Sequence, residues 1–278
     1  MRTWLVTGGS KGLGAAIART ALGKGERVAI AARTAAADSG LSAEFPETAL
    51  PIVLDVTDTA SVNDAVRKVE EWAGPIDVLV NNAGQGLHGA IEETSDAELR
   101  TLFDVNFFGA ANLIRAVLPG MRHRRSGRIL NIGSVAGFVA NPGTGAYCAT
   151  KFALEALTEA LRKEVADLGI RVSSIAPGGM RTAFNGSSIW QAGQQIADYD
   201  GLVHDRIEDL RRHAGTRGSD VEAAATAIWA FSVERNPPPH LILGQDAIER
   251  IEQKLSLLTT QLAHADPLSS NSEDRRSR

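Results

Sequence analysis

Thr7-Gly8-Gly9-Ser10-Lys11-Gly12-Leu13-Gly14 follows a short apolar run, Thr3–Thr7, and leads into a helical pattern, Gly14–Leu22. The glycines in this stretch decide how the chain is read. Gly8 suits a tight turn, Gly12 lets backbone approach a ligand closely, and Gly14 lets a helix pack close against a strand. A helix starting here turns unpaired N–H groups and a partial positive charge toward one point. A glycine trio alone is common in surface turns. Set between a first strand and a first helix, it reads as a phosphate loop in which Thr7, Gly8, Ser10, Lys11, Gly12, Leu13 and Gly14 bind.

Outward from the loop, short apolar runs alternate with longer helical patterns. The runs are Thr3–Thr7, Arg27–Ala32, Pro51–Leu54, Ile76–Val80, Arg128–Ile132, Arg171–Ala176 and His240–Leu243. They show little polar alternation, as strands buried on both faces of a parallel sheet do. Helical stretches such as Gly14–Leu22, Thr59–Trp72, Asp96–Met121 and Tyr147–Leu168 separate them. The expected fold is α/β, a single doubly wound domain with a seven-stranded parallel sheet between two helical layers. The domain is expected over residues 1–264. Residues 183–218, without a clear strand, are expected to form a lid. A helix of roughly Asp246–Ala263 follows the last strand, with Ile248, Ile251, Leu255 and Leu258 at helical spacing. Residues 265–278 are expected to be disordered.

Composition narrows the functional classes. A net charge of −4 over 278 residues gives no electrostatic reason to expect nucleic acid or an anionic membrane. One cysteine, Cys148, leaves no internal disulfide, and no Cys/His spacing suggests a metal site. No apolar run approaches the roughly 20 residues of a membrane span, and the amino terminus does not read as a signal peptide. The expected location is cytoplasmic.

In dinucleotide-binding folds the residue that reads the adenosine ribose lies about 20 positions past the last glycine, at the tip of the second strand. Here that tip is Ala31-Ala32-Arg33, with no carboxylate for an unphosphorylated 2′-hydroxyl. Arg33 and Lys11 instead suit a 2′-phosphate, so NADP(H) is expected in preference to NAD(H).

With these features in place, the chain resembles the short-chain dehydrogenase/reductase family from residue 3 to about 245. The family's TGxxxGxG pattern is met by Thr7, Gly8, Gly12 and Gly14. Its adenine-side acidic residue resembles Asp55, next to Val56, and its NNAG stretch is Asn81-Asn82-Ala83-Gly84; the resemblance implies that Asp55, Val56, Asn82, Ala83 and Gly84 bind the cofactor, as do Tyr147, Lys151, Pro177, Gly178 and Thr182. Its helical Asn is similar to Asn106, its Ser to Ser134, and its YxxxK to Tyr147 and Lys151. Its PG turn is Pro177-Gly178, with Thr182 at the position of a hydroxyl that contacts the carboxamide. The larger epimerase-like branch, with TGxxGxxG and a substantial substrate domain, does not match.

The resemblance implies an enzyme acting on CH–OH groups, with Asn106, Ser134, Tyr147 and Lys151 as its catalytic residues. Tyr147 and Lys151, four apart on a helix, share a face. A nearby ammonium, together with the positive charge of an oxidised nicotinamide, is expected to pull the phenol down from its usual value near 10, so that Tyr147 exchanges a proton with the substrate oxygen while Ser134 hydrogen-bonds it. Lys151 is expected to hold the nicotinamide ribose, and Asn106, by resemblance, a relay water. His88, Phe184 and Trp190 are candidates to line the substrate site, and Cys148 is read as packing. The C-terminal stretch resembles that of members acting on larger apolar carbonyl compounds. The expected function is therefore reduction of a moderately large apolar ketone or aldehyde; a non-catalytic NADP(H)-sensing regulator is the alternative. A homodimer through the helices bearing Asn106 and Tyr147 is preferred to a tetramer.

Overall fold

A computed structural model describes residues 1–34, 40–182 and 189–269. Its main sheet contains β1 (Thr3–Thr7), β2 (Arg27–Ala32), β3 (Ala49–Val53), β4 (Val78–Asn81), β6 (Gly127–Ile132), β7 (Ile170–Pro177) and β9 (His240–Leu243). These seven strands pair in parallel in the order β3-β2-β1-β4-β6-β7-β9. The chain winds outward from β1 in one direction and then from β4 in the other. The carboxyl ends of β1 and β4 thus flank the crevice where such sheets bind ligands.

Alternate residues of each strand enter two separate cores. Leu5, Ala29, Leu79, Ile129 and Val172 face one side, where α3 (Thr59–Ala73), α5 (Gly109–His123) and α6 (Gly145–Glu164) bring Val62, Val66, Leu113, Val117 and Leu161. Trp4, Val6, Ile30, Val80 and Leu130 face the other, against Ile17 and Leu22 of α1 (Gly12–Gly23), Leu41 of the short α2 (Leu41–Glu44), and Ile228 and Phe231 of α8 (Val221–Val233). Both faces are covered by helices, which explains the near-continuous apolar runs.

Several elements differ from expectation. The stretch expected as one helix from Asp96 is α4 (Asp96–Phe103), a π turn (Asp104–Phe108) and then α5. At 28 residues, Asp96–His123 is long enough to cross a bilayer, and one window is weakly apolar. Its Leu113, Ile114, Val117 and Met121 are buried in the first core instead, and Leu102 is buried beside Leu87. The expected lid is not strandless. β8 (Ile189–Gln191) pairs in parallel with β5 (Gly86–His88), and α7 (Asp205–Arg212) follows. Three-residue strands carry too little periodicity to stand out from a loop. The last helix, α9 (Gln245–Ser269), runs past the expected end at Ala263 into the stretch expected to be disordered; residues 270–278 lie outside the described residues.

Candidate active site

The glycine loop is held open by its neighbour across the switch point. Asn82 Nδ2 donates to the carbonyls of Thr7 (2.9 Å) and Gly8 (3.1 Å). Thr7 Oγ1 accepts from the backbone N–H groups of Asn82 and Ala83, both at 3.0 Å. Gly8 has φ +62°, and a Cβ there would lie 3.0 Å from Ala83 Cα. At Gly14 a Cβ would collide with Asn82 Nδ2 and the Gly8 carbonyl. Gly12, at φ +55°, differs: its missing Cβ would point into space whose nearest wall is Thr182 Cγ2, 3.8 Å away.

The helix start beside this gap lacks the side-chain cap that other helices have. Asp58, Ser95 and Asp220 cap α3, α4 and α8 with side-chain oxygens, the Ser95 cap being a full capping box with Glu98. The N-cap of α1, Lys11, makes no side-chain cap bond, and no acidic residue occupies the first turn. Uncapped N–H groups, an open cradle at Gly12 and an exposed lysine at the rim fit a diphosphate. Asn82, expected among the binding residues, spends its amide on the loop's own carbonyls and so shapes the site.

At the adenosine end, Gly9 N–H donates to Ala31 O (3.1 Å), which joins the loop to the tip of β2. Arg33 is exposed just beyond that tip. Asp55, past β3, accepts from Thr57 N (2.9 Å) and Thr57 Oγ1 (2.7 Å). Those bonds chiefly hold its carboxyl below the usual range, with a smaller contribution from the Arg33 charge. Val56 is buried beneath Gly109, where any Cβ would strike it. At the far end Gly178 N–H bonds Leu243 O (2.8 Å), and Gly179 N–H bonds Asp246 Oδ2 (2.8 Å). This ties the turn after Pro177 to the start of α9.

Between these ends the four expected catalytic residues converge. Ser134, just beyond β6, caps a 3₁₀ turn by accepting from Ala136 N (3.1 Å), and its side chain hydrogen-bonds Tyr147. Lys151 is buried one turn along α6 and donates from Nζ to Ile132 O (2.8 Å); Nζ lies 5.8 Å from the Tyr147 ring centroid. Gly84 sits beside both Lys151 and Asn106, and a Cβ on it would lie 3.3 Å from Asn106 Oδ1 and 3.8 Å from Lys151 Nζ. Asn106, buried in the π turn, accepts from Gln85 N (2.8 Å). It donates to Gln85 O (2.8 Å) and Thr150 Oγ1 (3.0 Å). Both of its amide hydrogens are engaged, so the side chain has no donor left for a water.

In the protein alone, Lys151 does not lower the Tyr147 phenol. Burial pushes the Tyr147 phenol above its ordinary range; the Ser134 bond opposes this, and Lys151 does not reverse it. Lys151 feels the same dry surroundings. Burial brings it down to about 8, with the Glu155 charge acting the other way. At neutral pH the lysine is still largely charged.

The substrate-side expectations divide. His88 lies in β5 with its side chain buried, and burial, then the Arg211 and Arg206 charges, hold it near 4 and so neutral. It sits within the small sheet under β8, and its Nδ1 makes no hydrogen bond. Trp190, 39% exposed, is in register with Leu87, which packs beside Leu102, Ala146 and Tyr147. Phe184 lies outside the described residues. Cys148 is buried, 3.5 Å from Thr144 Oγ1. No group of His, Cys, Asp and Glu able to hold a metal occurs among the described residues.

Sequence reasoning missed Glu93. Its carboxylate is buried and accepts from Ala90 N (2.7 Å) and Ile196 N (2.8 Å), and bonds His204 Nε2 at 2.7 Å. Tyr199 Oη donates to Glu92 (2.6 Å) and Gly193 N to Glu98 (2.9 Å), so three acids pin the 189–204 segment over the site. Nothing in the local pattern Glu92-Glu93-Thr94 distinguishes it from a solvated surface.

A doubly wound parallel sheet with a helix start lacking a side-chain cap at its switch point, and a Ser–Tyr–Lys group beside it, defines a dinucleotide-dependent oxidoreductase. The short chain dehydrogenase model matches residues 2–192, and the chain belongs to the short-chain dehydrogenase/reductase family. It is 35% identical over 249 residues to Oxidoreductase BOA17 of Botryotinia fuckeliana, covering 89% of this chain and 90% of that one. A short-chain dehydrogenase from Streptomyces avermitilis superposes with a TM-score of 0.91 at 38% identity, over 98% and 100% of the two chains. An alcohol dehydrogenase from Thermococcus sibiricus, complexed with 5-hydroxy-NADP, superposes with a TM-score of 0.72 at 26% identity, over 88% and 96%.

Proposed function

We propose that this oxidoreductase interconverts a carbonyl compound and its alcohol with NADP(H), and works as a reductase of a moderately large apolar ketone or aldehyde. The observation that carries the reading is the convergence of Ser134, Tyr147 and Lys151 beside the open glycine cradle. The nicotinamide, when bound, supplies or accepts the hydride. The N-terminus of α1, with Gly8 and Gly12, would hold the diphosphate, Lys11 and Arg33 the 2′-phosphate, and Lys151 the nicotinamide ribose.

Ser134 donates to the substrate oxygen as negative charge gathers there. Tyr147 gives its phenolic proton to the same oxygen in reduction and takes it back in oxidation. Burial keeps the phenol protonated in the protein alone, so the proton is in place to be given, while the Ser134 bond acts against the rise that makes it a weaker acid. For the reverse direction the phenolate needs positive charge nearby, and Lys151 is the protein's own source. The half-exposed Trp190 offers apolar surface one strand from Leu87, the buried residue that packs on Tyr147.

The same reading includes a cytoplasmic enzyme that is a homodimer through the faces of α4–α5 and α6, where Phe108 and Phe152 are exposed. The test is NADPH consumption over aliphatic ketones, 3-oxoacyl esters, steroids, retinal and quinones, with Tyr147→Phe beside the native protein. Turnover by the native chain and a loss of at least 100-fold in the variant is expected. A variant that turns over at the native rate defeats the assignment, and NADPH binding without turnover on any carbonyl favours a sensor.

A further inference from the structure

Glu155 lies one turn along α6 from Lys151 and takes no direct part in proton transfer. Its side chain is only 11% exposed. Ser174 of β7 donates to its Oε1. His240 Nε2 of β9 lies 3.3 Å from Oε2, near enough to pair when the imidazole is protonated but outside hydrogen-bond alignment. Burying a carboxylate is costly unless opposite charge compensates it, and two glycines make room for this one. A Cβ at Gly133 would lie 2.5 Å from Glu155 Oε1. One at Gly137 would lie 2.9 Å from Glu155 Cγ and 3.0 Å from the Lys151 carbonyl.

These two glycines bracket the turn that starts at Ser134. Lys151 Nζ donates to the Ile132 carbonyl, and Gly133, against which Glu155 lies, is the other half of that peptide unit. Ammonium and carboxylate thus hold the same peptide, the one leading into Ser134. We propose that Glu155 is a positioning residue for the reaction: it is the buried counter-charge of Lys151, and it braces the peptide that presents Ser134 to the substrate oxygen. This rests on the roles proposed above for Lys151 and Ser134. The charge acts in the required direction, since Glu155 opposes the fall that burial imposes on Lys151. The other titratable groups around the pair are Tyr147 and Glu159 on α6 and His240 on β9. From β6 and β7 the pair meets the Ile132 carbonyl and the Ser174 hydroxyl, and beside Gly84 it meets Asn106, all uncharged.

The test is Glu155→Gln, which keeps the side chain's shape and an acceptor for Ser174 but removes the charge. Urea midpoints from neutral to alkaline pH read the charge on Lys151 without any turnover. A lysine held at about 8 in the fold, against 10.5 when unfolded, binds fewer protons than the unfolded chain between those values, so native stability climbs there. Without the Glu155 charge that climb should begin about one pH unit lower, and in Glu155→Gln/Lys151→Met it should vanish. The alkaline fall of kcat/KM for carbonyl reduction should move the same way, with the conservative Glu155→Asp keeping the native onset. A bracing role alone would move neither. At pH 7 the gain in stability from Lys151→Met should be larger in the Glu155→Gln background than in the native one. If Glu155→Gln alone does not fold, adding Lys151→Met should restore folding, because neither buried charge is then left without the other. An unmoved onset, or an equal gain from Lys151→Met in both backgrounds, overturns the inference. A shifted onset in a chain that turns over no carbonyl would support the pairing and defeat the proposed function, which tells the two failures apart.

Discussion

Substituting alanine at three glycines of one helix should separate folding from binding. At Gly14 a Cβ would overlap both Asn82 Nδ2 and the Gly8 carbonyl, so the loop or the Asn82 amide must shift. Overpacking of this kind costs about 1–3 kcal/mol. The two Asn82 bonds it disturbs, at 2.9 and 3.1 Å, are worth roughly 0.5–1.5 kcal/mol each. The better helix propensity of alanine returns about 1 kcal/mol. The net expectation for Gly14→Ala is a loss of about 1–5 kcal/mol, with weakened NADPH binding as the loop moves. At Gly12 the space is open, and only the left-handed backbone, φ +55°, is penalised, by roughly 1–2 kcal/mol. The new methyl would nevertheless stand in the gap facing Thr182, so Gly12→Ala should lose NADPH affinity by more than its stability loss implies. Gly23, in the last turn of α1, has nothing within 4 Å of a built Cβ, so Gly23→Ala should be neutral or stabilising by about 0.5–1 kcal/mol. Urea midpoints and NADPH fluorescence titrations read both quantities. A Gly14→Ala protein with native midpoint and native affinity would refute the packing argument. A Gly12→Ala protein with native affinity would refute the cradle.

Three further outcomes follow from the charges. Arg33→Ala should lower kcat/KM for NADPH about 10- to 100-fold, the worth of hydrogen bonds to a charged group, and leave NADH nearly unchanged; equal loss with both cofactors would remove the 2′-phosphate role. Lys151→Met should be inactive yet more stable at pH 7 by on the order of 1–3 kcal/mol, since burial brings the lysine from 10.5 down to about 8 and disfavours its charged form in the fold. The unfolded chain binds more protons between those values, so native stability climbs from about pH 8 to 10.5 and the variant's advantage fades there; urea midpoints at pH 7 and 10 that differ equally for both proteins would contradict this. Hydrogen bonds to Asp200 and Glu93 raise His204 above its usual value, so its hold on the 189–204 segment is complete below about pH 6.5 and is lost as pH rises through its folded pKa. Limited proteolysis of that segment should therefore speed up at alkaline pH in the native protein, and His204→Gln should remove the dependence. Equal pH dependence in both proteins would discard the clasp.

Much of this molecule is written in local pattern. Leu5, Ala29 and Leu79 alternate with Trp4, Ile30 and Val80 in strands whose two sides are both apolar, and that is legible because a strand buried on both faces leaves no polar period. The glycine loop, Ser134, Tyr147 and Lys151 were readable for a related reason. Each sits at a strand end or on one helix face, where spacing along the chain maps directly onto spacing in the site. Long-range arrangement is not encoded that way. That Asn82 clamps the loop, that Asn106 is spent on Gln85 and Thr150, and that Glu93 reaches His204 across 111 residues depend on which loops the sheet order brings together. The direction of the Tyr147 shift depends on how much water the surrounding elements exclude, and a charge four residues away does not settle it. The apolar line of α9 makes the same division plain. Its period is local and can be counted from Ile248 to Leu262, but whether the line is covered depends on the body beneath it, which ends before Leu255.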